Sequence, residues 1–427
     1  MSSSYQFGAD IMARIEQLAE ISESPDGLTR RYLTPEHRRA NNLVAAWMRD
    51  AGMAVREDAI GNVIGRYEGE RDGLPAVMVG SHLDTVVMAG RYDGMLGVLS
   101  GIECARALKE EGTRLPYALE VIGFADEEGA RFQSTYLGSR AVAGTFETHV
   151  LGHCDQDGIS MADAMRTFGL DPDRISDAAR RPDDILAYLE VHIEQGPVLE
   201  KENLAVGAVT AISGANRLRV QVSGTPGHAG TVPMVLRNDA LVAASECVLA
   251  VSQLANGSPQ TVGTVGQLAV EGGGASNVIP GSVSFSVDLR AADDGVRRGV
   301  VETFEKTVQK IAEKRSVEIN IEKVHEADSV ECASWIIEQI DEAATSGGGQ
   351  AFHLPSGAGH DAAAMADITD VGMIFVRCLG GISHAPAESI TEEDAIAGAR
   401  LLFDVVRNFK LKPETQQSQM EYAHGTR

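Results

Sequence analysis

Residues 76–124 set the strongest limit on what this chain can fold into. A continuously apolar run at 76–79 passes into the polar, Gly-flanked stretch GSHLDTVVMAGRYDGMLG at 80–97. Helical apolar spacing follows from about 94 to 111, and a second, mainly apolar strand is expected at 118–124. A strand that is apolar at successive positions is buried on both faces. Strand, helix, strand in that order predicts an α/β layer with a mostly parallel sheet. The polar stretch then lies at a strand's C-terminal end, where open α/β sheets keep their sites. It carries His82, Asp84 and Asp93. A His and an Asp two apart on extended chain point to the same side, so one can bind a metal while the other orients it. Asp93 arrives from the following loop as a further ligand.

The same alternation extends along the chain. Helical spacing opens it at 9–22 and 36–52, with Thr34-Pro35-Glu36 as a start signal. A strand is expected at 55–67, short helical pieces at 157–170 and 183–188, and a strand at 189–193 running into EQGPVLE. Near 211 the order changes to strand (217–224), helix (239–254), strands (261–270 and 282–291), helix (294–314) and strand (317–324). This is a ferredoxin-like β-α-β-β-α-β unit with an antiparallel sheet. It divides the chain into a first domain, 1–210 plus 329–427, and an inserted domain, 211–328. The first domain resumes with a helix at 332–344, a strand at 372–376 and a helix at 392–409. The polar tail 412–427 is expected to be poorly ordered.

At 427 residues two domains are the natural division, and 44% hydrophobic with 23% charged residues is a globular composition. A formal net charge of -24 excludes nucleic acid and anionic membrane as general partners, because most of the surface would repel them. The five scattered cysteines, without a Cys-x-x-Cys pair, predict reduced thiols, and no leader or membrane-spanning run is visible. The cytoplasm is the expected setting.

His82, Asp93, Glu127, Glu128, His192, His360 and His384 all stand in Gly-rich or strand-end contexts. Singly, each His is more often a satisfied structural group than a ligand. Together, imidazoles and carboxylates are the donor set of catalytic zinc, and a carboxylate can bridge two ions. Glu127 and Glu128 follow an apolar strand directly. Neighbouring side chains diverge, so one of the pair can bind metal while the other faces the water and works as general base, then acid.

The blocks GSHLDTV, DGMLGV, FADEEGARF, GSRAVAGT, VHIEQGPVLE, GHAGTVPM, RNDAL, SNVIPG, DLRA, SGAGHDA and GGISHAPAE occur in that order between about 10 and 408. Together they resemble the hydantoinase/carbamoylase family of dinuclear-zinc amidohydrolases, within the zinc aminoacylase/carboxypeptidase superfamily. The resemblance implies a zinc-exopeptidase-like three-layer catalytic domain and an inserted α+β lid and dimerisation domain. It implies two divalent ions, zinc first, with manganese, cobalt or nickel compatible with the same ligands. His82, Asp93 and His192 match the ligands of one ion, with Asp93 bridging to a second ion held by Glu128 and His384. Glu127 matches the general base on the bridging water and Asp84 the partner of His82. Gln195 matches a contact to a ureido group, Asn277 and Arg290 a carboxylate clamp, and His360 a group near the substrate. His228 matches a histidine that polarises the substrate carbonyl from the partner subunit, so a homodimer through 211–328 is implied.

The implied substrate is a small ureido acid, an N-carbamoyl-L-amino acid first and allantoate as the alternative. Related exopeptidases and aminoacylases share the fold but typically carry a carboxylate where His192 stands. A non-catalytic metal-retaining scaffold is the reading from another class, and the intact Glu127 speaks against it. Departures are small: TPGHAG around His228, and Ala385 after His384. Neither removes a ligand or the base.

Overall fold

The computed structural model describes residues 7–412, so the tail from 413 onward lies outside the described residues. The chain forms two compact units. One takes the chain up to Thr210, Cys332–Leu354 and the chain from His360 on; the other is Ala211–Glu331 with Pro355–Gly359.

The first unit is built on a mixed sheet. Its strands run in the order Ala54–Glu57, Val63–Tyr67, Ala118–Phe124, Ala76–His82, Ile185–Ile193, Val371–Val376, Val206–Ile212. The four central strands from Ala118–Phe124 to Val371–Val376 are mutually parallel, and the flanking ones antiparallel. Strand alternation divides the side chains between two faces. Val77, Val79, Val191, Ile374 and Val376 enter one core with the helices Met95–Glu111, Glu392–Arg407, Ile11–Ala19 and Ser334–Ser346. The opposite face takes His192 and Phe375, and there the short helix Asp361–Met365 packs on the central strands with Leu137–Ala143 against it. Helices thus cover both faces, the three-layer arrangement that continuously apolar strands require.

Local chemistry explains the boundaries that the sequence pattern misplaces. The run 55–67 is a hairpin rather than one strand, because the Asp58 carboxylate accepts the main-chain N–H groups of Ile60, Gly61 and Asn62 and folds the chain back. At 183–188 only Pro182–Asp184 makes a 3₁₀ turn, and the strand already begins at Ile185. Thr34 caps the helix Pro35–Asp50 by accepting from the His37 N–H, with Pro35 at its first position.

The second unit has an antiparallel sheet in the order Leu268–Val270, Ser282–Ala291, Gly214–Ser223, Glu318–Ala327, with Thr261–Thr264 also paired to Ser282–Ala291. The expected strand 261–270 is broken by an extra residue: Thr264 pairs with Asp288 but Leu268 with Phe285, a bulge. Leu218, Val220, Val222, Val283, Phe285 and Val287 point to the helices Ala240–Asn256 and Asp294–Arg315. The other face holds a concavity of about 820 Å³ lined by the charged Arg217, Arg219, Asp288 and Arg290 together with exposed Val262, Leu268 and Val324.

Candidate metal centre

The four parallel strands of the first unit, or the loops after them, deliver five groups. His82 ends Ala76–His82, Glu127 and Glu128 follow Ala118–Phe124, His192 lies near the end of Ile185–Ile193, and His384 follows Val371–Val376. Asp93 stands just ahead of the helix Met95–Glu111. Gly94, at φ 77°, leaves room for the His82 ring, since a Cβ there would lie 2.6 Å from it.

These groups converge on one carboxylate. Asp93 Oδ1 lies 3.3 Å from His82 Nε2 and 3.1 Å from His192 Nε2, while Oδ2 lies 3.2 Å from His384 Nε2. His384 Nε2 is also 3.7 Å from Glu128 Oε1. Asp93 is therefore shared between two ligand sets, His82 with His192 and Glu128 with His384. Glu127 completes a further cluster with His82 and Glu128.

The donor atoms fit cations. His82 Nδ1 is 3.0 Å from the Asp84 carbonyl oxygen, and His192 Nδ1 is 2.9 Å from the Ile193 carbonyl oxygen. A hydrogen on Nδ1 satisfies each carbonyl and turns the Nε2 lone pair toward Asp93. A lone pair facing a carboxylate oxygen across about 3 Å is repulsive unless a proton or a cation lies between them. Asp93 offers one oxygen to each ligand set, as a carboxylate bridging two ions does.

Electrostatics tell the same story. Burial pushes the Glu127 carboxyl well above its ordinary range, with Glu128 adding repulsion, and burial beside Asp93 raises Glu128 to about 7. Burial opposes a charged His82, yet Asp84 and Asp93 hold it protonated well above its usual value. His384 is raised to about 8, chiefly by its hydrogen bond to Asp93. Such a centre either carries protons or carries metal.

Asp84 plays a larger part than a partner of His82. Its carboxylate is 3.5 Å from His82 Nδ1, farther than its own main-chain oxygen. Its two oxygens instead accept the N–H groups of Glu127 (2.9 Å) and Glu128 (3.2 Å), anchoring the acidic turn. Beneath it, burial and the Asp84 charge raise Asp126 well above the carboxylate range.

Gln195, in a left-handed conformation at φ 56°, donates to Asp93 Oδ2 (2.9 Å) and to Ser383 Oγ (3.1 Å). His384 is also left-handed, at φ 53°. His360 is buried, its ring 4.5 Å from that of His192, and burial keeps it neutral. Asn277, Arg290 and His228 belong to the second unit. There the two-residue strands Gly227–His228 and Val278–Ile279 pair, and the Ala229 N–H donates to the Asn277 carbonyl, so His228 and Asn277 are neighbours. Arg290 grips Asp288 through two hydrogen bonds of 2.8 and 3.0 Å and donates to the Gly357 carbonyl. The sequence pattern gave no notice of Asp126, Ser383 or Glu388. Glu388 closes the GGISHAPAE block, whose histidine alone draws attention.

The sequence from 78 to 408 matches the model for peptidase family M20/M25/M40. The chain belongs to this family. It is 44% identical over 400 residues to an N-carbamoyl-L-amino acid amidohydrolase from Geobacillus stearothermophilus, covering 93% of this chain and 98% of that one. It is 39% identical to an allantoate deiminase from Arabidopsis thaliana, covering 93% and 82%. Among solved structures, a hydantoinase/carbamoylase family amidase from Burkholderia multivorans superposes with a TM-score of 0.88 at 33% identity, covering 94% and 97%. The hydantoinase/carbamoylase resemblance and the α/β fold class therefore hold, and family and donor set together indicate divalent metal use. No helix among the described residues is long and apolar enough to cross a membrane.

Proposed function

We propose that this protein is a metal-dependent amidohydrolase that cleaves the ureido C–N bond of a small carboxylate substrate, most directly an N-carbamoyl-L-amino acid. The observation that carries this reading is Asp93 shared between two ligand sets, with the protonatable Glu127 beside them. His82, His192 and Asp93 would hold one ion and Glu128, His384 and Asp93 the other, with zinc the first candidate. Ions held there would lower the pKa of a water and polarise the scissile carbonyl.

The chain's own residues supply the rest. Glu127 takes a proton from the attacking water and returns it to the departing nitrogen, as general base and then general acid. Gln195 orients the ureido group. Arg290, whose fork holds Asp288 in this structure, would exchange that carboxylate for the substrate's, with Asn277 as the second contact. His360 lines the substrate side of His192. Water and R-NH-CO-NH2 yield the amine R-NH2, ammonia and carbon dioxide.

The second unit, 211–328 in the sequence division, serves in this reading as lid and dimerisation domain, with exposed His228 polarising the carbonyl in the partner subunit's site. The five free cysteines support a reducing, cytoplasmic setting. Allantoate is the second reading, favoured by the 39% identity to the Arabidopsis thaliana enzyme. Ammonia release from a panel of N-carbamoyl-L-amino acids, allantoate, dipeptides and N-acetyl amino acids, with zinc, manganese, cobalt or nickel loaded separately, decides. Turnover confined to dipeptides or N-acetyl amino acids would reject the proposal.

A further inference from the structure

Glu388 is 3% exposed and lies 295 residues from Asp93 in sequence. Its Oε1 accepts the main-chain N–H groups of both Tyr92 (2.9 Å) and Asp93 (3.1 Å). Those two donors precede the helix Met95–Glu111 and have no place in its ladder. The Ser383 hydroxyl lies 2.8 Å from Glu388 Oε2 and 3.2 Å from Asp93 Oδ2, within reach of both carboxylates. Gly90 makes the packing this close: a Cβ there would sit 2.1 Å from the Glu388 carboxyl carbon.

Resting on the reading that Asp93 is shared between two ions, we propose that Glu388 is a positioning residue, fixing the main chain of Asp93 so that its carboxylate can serve both. What it contributes is an acceptor in the right place. A Gln can supply that acceptor, with its amide facing Ser383 Oγ and the Ser383 hydroxyl turning to Asp93 Oδ2. An Ala cannot. The ion between Glu128 and His384 depends on the shared ligand more, because His384 is half-exposed, whereas His82 and His192 are buried with their Nδ1 atoms fixed.

The test is metal titration of the full-length chain, stripped with a chelator and reloaded with zinc against a chromophoric competitor. Wild type is expected to take up two ions. E388A keeps the first ion and holds the second roughly 10- to 100-fold more weakly, the usual cost of losing a group that orients a ligand. Excess zinc restores kcat without moving KM. G90A leaves both carboxylates in the chain, but its Cβ drives Glu388 out of place, so it should reproduce E388A. E388Q should hold both ions like wild type. Should E388A fail to fold, G90A and E388Q still decide the matter. E388A or G90A with a second ion as tight as wild type would sink the proposal, as would E388Q as weak as E388A. A wild type that binds only one ion would instead remove the shared-ligand reading beneath it.

Discussion

Asp84 offers a measurement that separates two jobs one residue is asked to do. Its side chain is fully buried, and each carboxylate oxygen receives one main-chain N–H, from Glu127 and from Glu128. Hydrogen bonds to a charged acceptor contribute about 1.5–3 kcal/mol each, so D84A removes roughly 3–6 kcal/mol from the acidic turn. D84N removes part of this, because its amide presents a donor where one N–H needs an acceptor. The turn carries Glu127, and a displacement of about 1 Å at a reacting group costs on the order of 10²-fold in rate. Steady-state assays should therefore show kcat of D84N down about 10²-fold with KM little changed. Its melting temperature should fall too. Metal content should persist, because the nearest partner of His82 Nδ1 is the Asp84 main-chain carbonyl, which the substitution leaves in place. If D84N loses the first ion but keeps its melting temperature, the carboxylate acts through His82 and the anchoring account is wrong.

Three further outcomes follow from the site. E127Q should lower kcat by about 10²–10⁴-fold while both ions remain bound, checked by elemental analysis beside the assay. R290K keeps the charge but loses the fork; KM should rise roughly 10- to 100-fold for ureido acids, with no such rise for a substrate lacking the carboxylate. H228A and E127Q, each strongly impaired alone, should regain activity beyond the sum of the two on mixing under conditions that exchange subunits, since a mixed dimer contains one site intact in both residues. Additive residual activities would remove His228 from the partner's site.

How far the sequence alone leads is clearest at individual residues. The strand 76–79 is apolar at every position and 118–124 at every position but Glu120, which Arg66 and Arg180 hold, because helices cover both faces, and that pattern survives without a structure. The two-fold duty of Asp93 does not, since it rests on which oxygen faces which imidazole, a matter of rotamers and of strands brought together across about 300 positions. The hairpin at Asp58 was hidden because its flanks, 54–57 and 63–67, read as one strand unless the Asx turn is given priority over periodicity. Glu388 was hidden differently. A glutamate after His-Ala-Pro-Ala looks like a surface group, and only the glycine at 90, far away, makes room for it inside.

Metal removal tests the electrostatic argument as a whole. Asp84, Asp93, Asp126, Glu127, Glu190, Asp361 and Glu388 are all buried around His82, His192 and His360. Buried carboxylates without compensating charge are costly, and without cations the protein must hold protons instead, as the raised Glu127, Asp126 and Asp361 do. Cations that take over from those protons bind the folded state only. Stabilisation by one site then grows to about 2.7 kcal/mol at free metal 100 times its Kd. The sign of its pH dependence comes from the groups that must be deprotonated to ligate. His384 is raised to about 8 and Glu128 to about 7, so each is protonated below its value and competes with metal there. Affinity for the second ion should decline as pH drops through 8, and more steeply below 7, approaching tenfold per unit for each proton displaced. Differential scanning fluorimetry of chelated and zinc-loaded protein should accordingly show a gap in melting temperature that is wide at pH 8.5 and narrows toward pH 6. A gap that stays constant over that range would mean that the ions bind somewhere other than this ring of carboxylates and imidazoles.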